Sequence, residues 1–578
     1  METSKTKLNS IFTWVFALFC LVGMHYFQHN QGGAGLDLPI NPIAWAFTSI
    51  LIAIGLWQIT LSQRIVYNRL SLAGLIAFLL LLVPIFYPNA ELAEASYPRI
   101  LGFLGGILLL FALQQLAMNK AQWCRLLLFL VIAGFIEGIY SLVQMYIFKA
   151  GNPLGFNVDY GRPYGIFQQP NVLASFLATS LIIAAYLLMA WQPQGKAKWL
   201  FGFLTLHCFI AAWVIYICVS RTGYLGVTIG LALMAPWLWQ RSKQRCMMLM
   251  AVIACGVSMH FIIADGAVSR DGAQLANAGA RTLQYEQSWH MMQQKPLLGW
   301  GYGSFEVSFL HDRAERIANE GVPFVLENLT HPHNELMLWG VEGGILPILG
   351  LLTMAAVFIS LLTKFDWRHA LALLALVFPL TLHTQTEYPF YHAVATWVMF
   401  IVLAAFVSYL SNCKKEIQFR PTLLIRTNAI LIVLITCTFM ITAVHTNYLV
   451  TKFERTGRTN IDLLMQVVNP LALTTRLEFN IFTLRMLVGE RLDKPEELKA
   501  YIDWATKFVE HTPRANIYYN LALANKLLGY QSQADETLAH ARWLYPNNGL
   551  LRKELQTVVR DVEKTPSGIQ ETDNELAP

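Results

Sequence analysis

In the stretch ENLTHPHNELMLWGVEGGILP, Glu327 to Pro347, two histidines bracket a proline just before an asparagine and an apolar run. Pro332 disfavours helix at His331, and Asn334 is a good N-cap for a helix that follows. His333 then precedes a helix N-terminus, beside N–H groups without intrahelical partners and the positive end of the dipole. Such a setting disfavours imidazolium, which leaves a neutral His333 able to accept a proton at about pH 7. The same N–H groups attract anions. A neutral base beside an anion site suits activation of an alcohol near a phosphate. The plainer reading, a capping or interface histidine, explains the same residue. A zinc pair through His331 and His333 is disfavoured, since no Cys or third His with ligand spacing is nearby.

Other polar groups stand against apolar runs in the same way. Arg221 lies in VSRTG between two such runs, where a guanidinium either snorkels to the interface or grips a phosphate with two hydrogen bonds. Arg281 is a second cation of this kind, or a solvated surface charge. Gln168 and Gln169 in GRPYGIFQQPN offer uncharged hydrogen bonds suited to sugar hydroxyls, and Asn171 is placed to cap the next helix. HTQTEYPFYH carries Glu387, Tyr388 and Tyr391, and an interfacial aromatic belt accounts for the tyrosines as well. Glu342 falls about two turns inside an apolar run, and an intramembrane carboxylate is a functional candidate by default.

The elements that position these groups are membrane helices. The chain is 55% apolar and only 13% charged, well below the roughly 25% charge of soluble domains. About thirteen apolar segments of spanning length recur, near 11–28, 43–62, 70–88, 99–118, 126–148, 171–190, 199–219, 223–239, 247–264, 336–363, 370–385, 392–410 and 427–446. Cations concentrate in alternate connections: Lys5 and Lys7; Arg64 and Arg69; Lys120 and Arg125; Lys196 and Lys198; Arg241, Lys243 and Arg245; Lys364 and Arg368; and Lys414 to Arg426. On the other side only Lys149, Arg162 and Arg221 break the pattern near the spans. Positive-inside orientation puts the N-terminus in the cytoplasm, and an odd number of spans puts the C-terminus outside. The Gln pair, Arg221, Arg281, His333 and Tyr388 then share the outer face. None of the eight cysteines falls in an outer loop or the C-terminal tail, which fits a bacterial inner membrane facing an oxidising periplasm. The first span reads as an uncleaved anchor, without a small-x-small cleavage site beside it. A formal charge of +6, sorted by membrane side, gives no reason to expect nucleic acid.

Two regions lie outside the membrane, a loop over 265–334 and a tail over 447–562; residues 563–578 are polar and read as disordered. In the loop, Thr282, Tyr285, Trp289 and Met292 predict one semi-apolar helix face able to lie on the bilayer surface, ended by Pro296. LLGWGYGSF follows with alternating glycines. It lacks the strand and the Lys-Ser/Thr of a phosphate loop, so close backbone approach is the better explanation. In the tail, Tyr518, Leu521, Ala534, Leu538, Ala541 and Pro546 match one tetratricopeptide-type hairpin with a period of about 34 residues. The expected fold is all-α: a polytopic transmembrane bundle over 1–446 with a large periplasmic loop and a C-terminal periplasmic TPR-like helical domain.

HPHNELMLWGVEGGILP resembles the central motif of the O-antigen ligase/polymerase superfamily, and RTLQYEQSWHMMQQKPLLGWGYGSF resembles the segment leading into it. FQQPN, EYPFYH and GLDLPINPIAW are similar to the bacterial PglL-type protein O-oligosaccharyltransferases. The likeness spans about Gly35 to His392. It implies a glycosyltransferase, working without metal or other cofactor, that moves a preassembled glycan en bloc from undecaprenyl pyrophosphate to Ser or Thr of periplasmic proteins or pilin. The family's histidine falls on His333, its glutamine on Gln169 and its tyrosine on Tyr388, with Arg221 and Arg281 placed to hold pyrophosphate. The adjacent His331 and Gln168 leave two of these assignments open by a residue or two, and Glu387 joins the substrate-binding candidates.

Within the superfamily, the alternatives are ligation of glycan to lipid A core and polymerisation of repeat units; the acceptor discriminates them. A transporter of lipid-linked glycan is the alternative from another class, and it predicts polar groups spread through the membrane with paired half-helices. A membrane anchor presenting a helical binding domain leaves the outer cluster unexplained.

Overall fold

The computed structural model describes residues 2–191, 197–263, 281–322, 328–553 and 555, without the side chains of 2–6 and 197. Lys196, residues 264–280 of the loop and the 563–578 tail lie outside the described residues. Among the described residues the regular structure is helical apart from two short strands. Among the described residues, eleven helices are long and apolar enough to cross a membrane, and two shorter apolar helices, Trp367–His383 and Val394–Leu410, join them. Each matches one predicted segment.

The chain forms two compact units. The first comprises Met1–Leu80, Arg99–Arg270 and Leu349–Ala472. Helix Pro170–Ala190 is apolar on every side and almost wholly buried, as expected of a central helix rather than one facing lipid. Small residues let helix Arg221–Arg241 approach it: a Cβ on Gly223 would sit 2.6 Å from that of Ala174, and one on Gly230 3.1 Å from Ile182 Cδ1. By contrast, helix Thr422–Arg455 leaves Leu423, Leu434, Ile435 and Ile441 exposed, the pattern of a surface turned to lipid. A two-stranded antiparallel ribbon pairs Arg64–Tyr67 with Lys415–Gln418, and Arg64 meets Glu416 at 3.0 Å. It joins two connections that the cation pattern assigns to one side. On the opposite side of the alternation, Asn447 Nδ2 donates to the Asp37 carbonyl at 2.9 Å.

The second unit comprises Leu81–Pro98, Asp271–Ile348 and Leu473–Pro578. Its C-terminal part is built from helices Thr474–Arg491, Pro495–Val509, Ala515–Leu527 and Gln531–Leu544. The last two form the hairpin that the spacing predicts, with Tyr518, Leu521, Ala534, Leu538 and Ala541 buried. Leu310 and Ala314 of helix Phe305–Glu320 enter the same core, and His311 lies 5.7 Å from the His540 ring.

Helix Arg281–Gln294 forms as expected and ends before Pro296; it buries Gln284, Gln287, Ser288 and Met291 against the protein, while Trp289 of the predicted face is 54% exposed. Hydrogen bonding decides the buried face: Gln287 Nε2 donates to the Phe309 carbonyl at 2.8 Å and to Asp312 Oδ2 at 2.9 Å. One expectation needs correction: the segment 336–363 is not one helix. It divides into Glu335–Gly343 and Ile345–Leu362, because Gly344 takes φ +68° and its backbone abuts Leu297. Glu342 therefore precedes the spanning helix instead of lying two turns within it. Its Oε1 accepts the Phe305 N–H at 3.2 Å, capping helix Phe305–Glu320, whose own N-cap residue Ser304 supplies no side-chain bond. The alternating glycines serve close approach, as expected. Gly301 has φ +105°, a Cβ there would lie 2.2 Å from the Asn89 carbonyl oxygen, and its N–H donates to the Glu342 carbonyl at 2.9 Å.

Candidate functional site

In the first unit the segment Pro163–Gln169 is held at most of its residues by buried side chains. Gln144 Oε1 accepts the N–H groups of Tyr164 at 3.1 Å and Gly165 at 2.9 Å. Glu137 Oε2 accepts the Ile166 N–H at 3.0 Å, while its Oε1 lies 2.6 Å from His25 Nδ1. His392 Nε2 donates to the Phe167 carbonyl at 2.9 Å. Asn41 links the Gly35 and His392 carbonyls at 2.7 Å each and accepts the Val394 N–H at 2.9 Å. The glutamines at the end of this segment are thus carried on a fixed backbone, although the segment is a connection.

The two glutamines diverge. Gln168 takes φ +56° and lines a small depression with Tyr26, Asn30 and Ile40. Gln169, not Asn171, caps helix Pro170–Ala190: its Oε1 accepts the Asn171 N–H at 2.6 Å. Asn171 instead turns its side chain to Glu387, donating from Nδ2 to Oε1 at 2.6 Å. Glu387 Oε2 accepts from Gln169 Nε2 at 3.3 Å and from His383 Nε2 at 3.2 Å, and His383 Nδ1 lies 2.7 Å from Ser175 Oγ. Glu387 is buried, and Tyr388 beside it is half-buried with its ring 6.0 Å from Tyr391 and 6.4 Å from His392. Arg221 opens helix Arg221–Arg241, which Ser220 caps through the Gly223 N–H at 3.1 Å. Its neighbour Thr222 meets Thr386 hydroxyl to hydroxyl at 3.0 Å, which ties the Arg221 turn to the turn bearing Glu387 and Tyr388. Gln169, Arg221, Glu387 and Tyr388 therefore share one end of this unit. Arg162, an exception to the cation pattern, donates to the carbonyls of Cys218 at 2.7 Å and Val219 at 3.3 Å, which gives it a structural task.

In the second unit Asn334 is the N-cap of helix Glu335–Gly343, as predicted, and accepts the Met337 N–H at 3.0 Å. His333 sits one residue before it in the left-handed region, φ +53°. The two histidines are not equivalent. His331 is buried and its Nδ1 accepts the His333 N–H at 3.3 Å, so its proton resides on Nε2 and it fixes the turn. His333 is half-buried, with its ring 4.6 Å from that of His331. Tyr285 donates to the His333 carbonyl at 3.1 Å. Arg281 stands one helical turn before Tyr285 on the same face, which places it on the side of the helix that meets the histidine turn.

The first unit thus gathers amide, carboxylate, phenol and guanidinium groups, and the second an imidazole, a phenol and a guanidinium. Sequence reasoning missed Glu137, Gln144, His383, Asn41 and the side-chain role of Asn171. Glu137 was the one with a signal, a carboxylate inside an apolar run.

Three family models match the chain. Residues 163–188 match a protein glycosylation ligase family, residues 206–352 an O-antigen ligase family, and residues 371–558 the C-terminal part of a virulence-factor membrane-bound polymerase. The first match begins at the pinned segment Pro163–Gln169, the second contains Arg221, Arg281, His331 and His333, and the third contains Glu387 and Tyr388. No curated protein gives a significant match.

Proposed function

From the premise that this chain belongs to the O-antigen ligase superfamily, in its PglL-type branch, we propose that it is a protein O-oligosaccharyltransferase. The membership supports a multi-pass membrane enzyme that moves glycan from a lipid-linked donor to a protein or lipid acceptor. In the proposed reaction the donor is an undecaprenyl-pyrophosphate-linked oligosaccharide, and the acceptor is a Ser or Thr hydroxyl of a periplasmic protein or pilin. The protein sits in the bacterial inner membrane with its N-terminus in the cytoplasm, and the reaction takes place on the periplasmic face.

His333 removes the acceptor hydroxyl proton, a contribution of about 10²–10⁴-fold. The hydroxyl oxygen attacks the anomeric carbon; the bond from that carbon to the pyrophosphate oxygen breaks, and undecaprenyl pyrophosphate leaves with the electron pair. Arg221 and Arg281 hold the pyrophosphate and stabilise the charge that develops on it. Gln169 and Tyr388 orient sugar or acceptor.

The observation that supports the choice of a protein acceptor is the protein glycosylation ligase match over 163–188, which begins at the segment held by Gln144, Glu137 and His392. The matches to O-antigen ligase and polymerase families favour a second reading, in which lipid A core or another lipid-linked unit accepts the glycan. Reconstituted His333→Ala protein is expected to lose transfer by at least about 10²-fold with normal expression. Wild-type turnover of this variant would remove the assigned base.

A further inference from the structure

Glu387 is ill-suited to touch a pyrophosphate. It is 7% exposed, its Oε1 is occupied by Asn171 Nδ2 and its Oε2 by Gln169 and His383, and a carboxylate repels an anionic group. What its position does determine is the orientation of Gln169. A side-chain amide can present either end, and hydrogen bonding alone decides which. Here one end faces the Asn171 backbone N–H, which can only donate, so that end is the oxygen. The other end is then the NH2 group, and one of its hydrogens goes to the Glu387 carboxylate, an acceptor-only group when ionised. Gln169 is half-buried, and its second N–H has no hydrogen-bond partner among the described residues. Its amide can therefore offer a substrate one donor, and its oxygen is already engaged.

We infer that Glu387 is a positioning residue that locks the Gln169 amide with a single N–H directed at an oxygen of the lipid-linked donor. His383 holds Glu387 from behind through Nε2, and Ser175 holds His383 through Nδ1. This inference rests on the donor class proposed above and on no particular acceptor.

The test is a double-mutant cycle on full-length protein in nanodiscs, with undecaprenyl-pyrophosphate-linked oligosaccharide as probe. Retention of the donor alone is measured by native mass spectrometry, and kcat and KM with whichever acceptor gains mass. Glu387→Gln preserves size and an acceptor for Asn171, yet turns an NH2 group toward that of Gln169. It is expected to lower donor affinity or kcat by about 10-fold, and Gln169→Ala by at least as much. In the Gln169→Ala background Glu387→Gln should cost nothing further, because the amide it is inferred to orient is gone. Asn171→Ala, which removes one donor to the other carboxylate oxygen, should show a smaller loss that also vanishes in that background. Multiplying losses in both cycles would mean that Glu387 acts on the fold or on substrate directly, and would overturn the inference. Failure of the wild type to retain any lipid-linked donor would overturn the donor reading and this inference with it. Transfer only to lipid would reject the protein acceptor while leaving the cycle readable.

Discussion

Replacing Glu342 separates a structural carboxylate from a chemical one. Its Oε1 lies 3.2 Å from the Phe305 N–H at the start of helix Phe305–Glu320, and the residue is 3% exposed. A hydrogen bond to a charged group contributes about 1.5–3 kcal/mol, and an anion at a partly buried helix N-terminus up to ~2 kcal/mol. Glu342→Ala removes both and leaves a buried N–H without its acceptor, a loss of roughly 2–4 kcal/mol. Glu342→Gln keeps an acceptor oxygen and forfeits only the charge, a loss of about 1 kcal/mol. For a unit of this size the corresponding falls in apparent melting midpoint are roughly 4–16 °C and 2–4 °C. The assay is a thermal melt of detergent-purified protein alongside glycan transfer at a temperature below both midpoints. Transfer by Glu342→Gln should stay within a few-fold of wild type. Abolished transfer with an unchanged midpoint would refute the capping role and return Glu342 to the reaction.

Gly301→Ala is expected to deplete folded protein from membranes by several-fold, since the added Cβ meets the Asn89 carbonyl oxygen at 2.2 Å and φ is +105°; normal yield and melting would contradict the packing argument. Asp312 gives a pH test. It is 5% exposed, and burial raises its carboxyl above the ordinary 3.8, with Glu315 adding to the rise and Gln287, His290 and Arg316 opposing it. As pH climbs past the unfolded value, the unfolded chain loses this proton before the folded one, so stability falls through that window and stays lower above it. Asp312→Asn keeps an acceptor for Gln287 and should raise the melting midpoint at about pH 7, with the gain disappearing by about pH 4. An equal gain at both pH values would exclude burial of the charge as its cause.

The apolar helices were legible because about 20 residues without charge can do little but span a bilayer, and each predicted segment from Ile11 to Thr446 has its helix. The break at Gly344 was not. ELMLWGVEGGILP is continuously apolar around Glu342, and only the approach of Leu297 and the Trp300–Gly301 backbone reveals why the helix must stop. The histidine turn could be read because proline and an N-capping asparagine act over a few residues. Sequence proximity could not choose between His331 and His333, or between Gln168 and Gln169. In each pair the two side chains differ by partners far along the chain or by burial. His383 and the bond from the Asn171 side chain to Glu387 were invisible for the same reason: a histidine at the end of an apolar helix has no distinguishing pattern until Glu387 and Ser175 are known to flank it. In helix Arg281–Gln294 the spacing marked the semi-apolar face that stays exposed, and the face buried against protein escaped it because that face is polar. Periodicity of apolar residues reports the face that wants to leave water, whereas Gln287 is held by hydrogen bonds to the Phe309 carbonyl and Asp312.

Intact-mass spectrometry of the acceptor tests the central claim most directly. Purified protein in nanodiscs is given undecaprenyl-pyrophosphate-linked oligosaccharide together with a periplasmic protein or pilin, lipid A core, or no acceptor. The account predicts that the protein gains the mass of one whole glycan on a serine or threonine and that the gain disappears in the His333→Ala variant. Unchanged protein mass, with the donor consumed onto lipid A core or onto a second lipid-linked unit, would contradict it.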